Sequence, residues 1–118
     1  MSDLALVILA EMRQNAAKAL EHAARGGDRW HEDDLVVDAV ANRVRQLTEL
    51  AKYQFPEDEK GDYPQVPWDE LARARDFYTH HYDDLDVTKL RATVEGPLRA
   101  VLGELERLQL PDLNSHSE

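Results

Sequence analysis

The sequence contains no cysteine. That removes disulfides, thiolate metal centres and a cysteine nucleophile together, and it suits the reducing cytoplasm in which the chain is expected to work. Long apolar runs are missing too: none approaches the roughly 18 residues that a membrane helix needs. The longest, residues 4–10, follows Asp3 and lacks the basic flank and small-residue cleavage site of a secretory signal. It reads as the start of a core helix, and no membrane partner is expected. Only 5 Gly and 5 Pro interrupt the chain, and most stand where a helix should end. No glycine-rich phosphate loop, no G-x-S-x-G elbow, no dinucleotide fingerprint and no H-E-x-x-H pair occurs. Positive charge is scarce as well, with 14 Lys and Arg against 24 Asp and Glu for a net charge of −10. Such a chain repels nucleic acid on average, so any RNA contact must come from a local basic patch. A basic protein partner or plain solubility accounts for the charge equally well.

What remains is the composition of a folded domain, 42% hydrophobic and 32% charged over 118 residues. One domain is expected over residues 1–110, with residues 111–118 a flexible tail. Leu6, Leu9, Met12, Ala16, Leu20 and Ala23 recur at three-or-four spacing and predict a first helix, ended at Gly26-Gly27. Residues 28–33 read as a loop, with Asp33 able to cap a second helix that runs to about Tyr53. Val37, Val40, Val44, Leu47 and Ala51 form the apolar face of that helix, and Arg45 and Glu49 lie at salt-bridge spacing on the other. Residues 54–66 are too polar and too rich in proline for a strand and are expected to be irregular. Pro67 suits the first position of a third helix beginning at Trp68. Asp86 suits the N-cap of a fourth, whose apolar stripe from Val87 to Leu108 should be kinked at Gly96-Pro97. No period-two run appears, so the expected fold is all-α, an up-and-down bundle of four to five helices.

Titratable groups concentrate in one place. Arg73, Arg75, Asp76, Tyr78, His80, His81, Tyr82, Asp83 and Asp84 fall within twelve residues. Leu71, Arg75, Tyr78 and Tyr82 share Trp68's side of an ideal helix, and an arginine on an apolar face is either paired or aimed at a ligand. Arg75 and His80 are five apart, which places them about 140° apart on such a helix. Either the helix unwinds near Thr79, or two chains each supply a motif. A structural reading makes Arg75 a salt-bridge residue and the histidines ordinary packing residues. A metal reading would take His80 with Asp83 or Asp84, but it lacks a second histidine at ligand spacing. No metal and no cofactor is expected. Trp30, Phe55 and Trp68 read as core and lid residues rather than base-stacking platforms.

These residues carry a resemblance. The run Arg75-Asp76-Phe77-Tyr78-Thr79-His80, continued by Tyr82 and Asp83-Asp84-Leu85-Asp86, resembles the R-x4-H-x-Y motif of HepT-like members of the HEPN superfamily. Upstream, Tyr63-Pro64-Gln65-Val66-Pro67-Trp68 is similar, position for position, to that family's Y-P-x-[IV]-P-W segment. The resemblance spans about residues 35–108. Asp76 stands where the subfamily usually has Asn, His81 where it often has Gly, and Thr48-Glu49-Leu50 where it has a Gly-Glu-Ala triplet. The resemblance implies a helical bundle, a homodimer, and the toxin half of a HEPN–MNT toxin–antitoxin module. It implies a metal-independent endoribonuclease in which Arg75 and His80 act on RNA with Asp76 in support. It also implies that a nucleotidyltransferase antitoxin adenylylates Tyr82. A HEPN-fold domain that binds nucleotide, RNA or protein without cleavage is the alternative.

Overall fold

The computed structural model describes residues 2–74 and 85–113. The first helix, α1, spans Asp3–Gly26, capped by the Ser2 hydroxyl, which accepts from the Ala5 amide. Gly27 closes it with φ +77° and ψ −167°, a conformation that only glycine adopts freely. The chain does not then enter an open loop, as its polar character suggested. Gly27–Glu32 wind into two 3₁₀ turns, kinked at Arg29, that bury Trp30 under the end of α1. A single indole supplies enough apolar surface to fold back an otherwise charged hexapeptide.

Helix α2 spans Asp34–Glu49, and the Asp33 carboxylate caps it by accepting from the Leu35 amide at 3.0 Å. The expected extension to Tyr53 is present but changes character, with Leu50–Gln54 forming a π-helical turn. The next segment is less irregular than expected, since Glu57–Asp62 form a 3₁₀ helix. Helix α3 spans Trp68–Arg73, and Pro67 stands one position earlier than expected, flanking the helix rather than beginning it. Helix α4 spans Val87–Glu95, with Asp86 accepting from the Lys89 amide at 3.1 Å, and α5 spans Pro97–Glu106. The kink expected at Gly96-Pro97 is therefore a full break, with Pro97 at a helix start where its missing N–H costs nothing.

Five helices and no strand among the described residues make an all-α bundle. The short turn folds α2 back along α1, and α5 packs on the other flank of α1. Arg99 near the start of α5 lines one groove with Ala23, and Pro111 just past its end bonds to Arg13, so α5 runs antiparallel to α1. Small residues on α1 (Ala5, Ala16, Ala19 and Ala23, all buried) let both neighbours approach closely. Leu9, Met12, Val40, Val44, Leu47, Leu90, Leu98 and Leu105 fill the middle. Leu6 and Leu20, expected to be central, are only half-buried at the margins. A polar pair crosses the α1–α2 contact: buried Asn15 accepts from Arg43 at 3.2 Å and donates to the Glu11 carbonyl at 3.0 Å. No helix among the described residues is long and apolar enough to cross a membrane.

Candidate functional site

The residues singled out above, Arg75, Asp76, His80, His81 and Tyr82, lie outside the described residues, as does the metal alternative of His80 with Asp83 or Asp84. The structure does describe the frame on either side of them. Upstream, α3 ends at Arg73 with Leu71 buried in the core. Downstream, Leu85 and Val87 pack against that same core, and Asp86 opens α4. Ten residues of dense chemistry are thus bracketed by two anchored ends. Residues 114–118, most of the expected tail, also lie outside the described residues. Just before them, the Pro111 carbonyl accepts from Arg13 at 3.3 Å.

The upstream frame begins with the π-helical turn. The Phe55 amide donates to the Leu50 carbonyl at 2.9 Å, one residue further back than an α-helix allows. The extra residue turns Phe55 into the core, where it is almost fully buried. Its ring meets Tyr63 edge-on at 5.9 Å and Trp68 at 4.7 Å with a 31° tilt. The edge-on contact is a favoured aromatic geometry, and both contacts add to the burial of Phe55 and Tyr63 and the partial burial of Trp68.

Trp68 completes the cluster. Its indole Nε1–H donates to the Tyr63 carbonyl at 3.1 Å, and its own amide donates to the Val66 carbonyl at 2.9 Å. The Lys60 ammonium stands over the indole at 5.5 Å and is held by Glu57 at 2.6 Å. Tyr63 and Val66 are buried beneath. The Y-P-x-[IV]-P-W segment is therefore a folded clasp that launches α3, with its aromatic and aliphatic members inside and Pro64 and Gln65 outside. Burial, reinforced by the Glu59 and Asp62 carboxylates, pushes the Tyr63 phenol above its ordinary value. Lys60 is the participant that sequence reasoning missed. Placed in an acidic run, it reads as a solvated charge, and only the fold brings it over Trp68.

Electrostatics elsewhere are largely self-contained. Arg25, Arg29, Arg45, Arg91 and Arg107 each pair with a glutamate three or four residues away. The groove between α1 and the α4–α5 break carries Arg91 and Arg99 but also Asp28 and Glu95. Among the described residues, then, that groove offers a mixed field rather than a basic patch. No group of three or more potential metal ligands occurs among the described residues.

Comparison with known proteins bears on this frame. The family model described as Ribonuclease HepT-like matches residues 12–108, from α1 to the end of α5. A protein of Thermococcus cleftensis carrying the name ribonuclease HepT is 35% identical over 71 residues, 60% of this chain and 64% of that relative. A protein of Methanocaldococcus jannaschii named as an RNase is 40% identical over 55 residues, 47% of this chain and 45% of that relative. The chain thus spans less than two thirds of the length of these two relatives. No solved structure gives a significant match.

Proposed function

Because the chain belongs to the HepT-like ribonuclease family, we propose that it is a metal-independent endoribonuclease, the toxin of a HEPN–MNT toxin–antitoxin module. The observation that carries this reading is the family match, which encloses the R-x4-H-x-Y residues and both of their anchored flanks. RNA carries its own nucleophile, so the reaction needs a proton acceptor, a proton donor and a partner for phosphate charge. The His80 imidazole takes the proton of a ribose 2′-OH, whose oxygen attacks the adjacent phosphorus. The bond from phosphorus to the 5′-oxygen breaks, and the proton returns to that leaving oxygen, leaving a 2′,3′-cyclic phosphate and a 5′-hydroxyl. The Arg75 guanidinium grips the phosphate through a fork of N–H donors and stabilises the charge that grows on it. Asp76 supports this pair.

Two chains meet in one homodimeric cleft, which answers the 140° separation of Arg75 and His80 on a single helix. The nucleotidyltransferase partner adenylylates the Tyr82 hydroxyl, and the added phosphodiester competes with RNA for Arg75.

The test is expression with and without the partner, combined with RNA cleavage in the absence of added metal. His80→Ala should lower cleavage by about 10²- to 10⁴-fold, the usual worth of a general acid–base group. Arg75→Ala should be similarly impaired, and Arg75→Lys should recover little because an ammonium lacks the planar fork. Tyr82→Phe should remain toxic but take up no adenylate from ATP and the partner. Full activity in His80→Ala, or adenylate on Tyr82→Phe, would overturn the respective assignment.

A further inference from the structure

We draw no further inference here: the strongest candidate, the groove in which Arg91 of α4 and Arg99 of α5 share a wall with Asp28 of the turn after α1, carries nothing, because Arg91 is paired with Glu95, the remaining charges offset one another, and nothing in the structure shows what covers it.

Discussion

Adjacent residues can be glycine for unrelated reasons, and Gly26 and Gly27 are such a pair. A Cβ on Gly26 would lie 2.6 Å from the Trp30 Cβ and 3.1 Å from a Val36 methyl. A Cβ on Gly27 would meet nothing within 4 Å, but its φ of +77° with extended ψ is closed to side chains. Gly26→Ala should thus destabilise by steric overlap, about 1–3 kcal/mol, and Gly27→Ala by about 1–3 kcal/mol of backbone strain. Denaturant titration with a probe of Trp30 separates them. The first should disturb the indole environment in the folded state, and the second should leave it native-like. Both glycines were readable as a helix stop, but the clash with Trp30 was not, because it depends on the turn that brings the indole back. Asn15 is a similar case. In an alanine-rich helix it looks incidental, and only its burial beside the half-buried Arg43 shows that Asn15→Ala should cost about 1 kcal/mol by removing a hydrogen bond across the α1–α2 contact.

Among the helices, the parts legible in advance were those governed by local chemistry. Asp33 and Asp86 cap as carboxylates should, and Gly96-Pro97 breaks the last stripe because proline cannot continue a hydrogen-bond ladder. What escaped was set by distant partners: the π-helical turn, which answers to Trp68, and the Glu57–Asp62 helix, which answers to the chain start. There the Glu59 carboxylate accepts from the Ser2 amide and the Ser2 hydroxyl, both at 2.8 Å. Those bonds hold the Glu59 carboxyl below its ordinary range. A lowered folded value means stability that is present above the unfolded value and lost as pH falls through the folded one. Glu59→Gln should therefore lower the melting temperature at neutral pH and narrow the gap to the native chain in acid. A gap independent of pH would show that the clasp contributes nothing through charge. Of the candidate site, residue types single out the dense segment 73–84, most of which lies outside the described residues, and the family resemblance singles out the flanking segment 63–68. The role of Lys60 could not, because an ammonium among carboxylates gives no sign of lying over an indole.

For the molecule as a whole, the homodimer is the central expectation of the proposed function. Light scattering at micromolar concentration should give about twice the 13.5 kDa chain mass. Substitutions on the exposed side of α3 should weaken the pairing and cleavage together, and a fully active monomer would contradict the composite cleft. The π-helical turn has a consequence for the length of the chain itself. It is the mark of one residue more than an α-helix would need between Leu47 and Phe55. Removing a residue there would repair the local ladder while rotating everything after it by about 100° and drawing it back by about 1.5 Å. Phe55 would then turn away from Trp68. The 3₁₀ helix at Glu57–Asp62 is under a similar demand, because Glu59 must still reach Ser2 and Lys60 must still lie over Trp68. Natural and engineered variants should accordingly keep the residue count through Leu50–Gln54 unchanged.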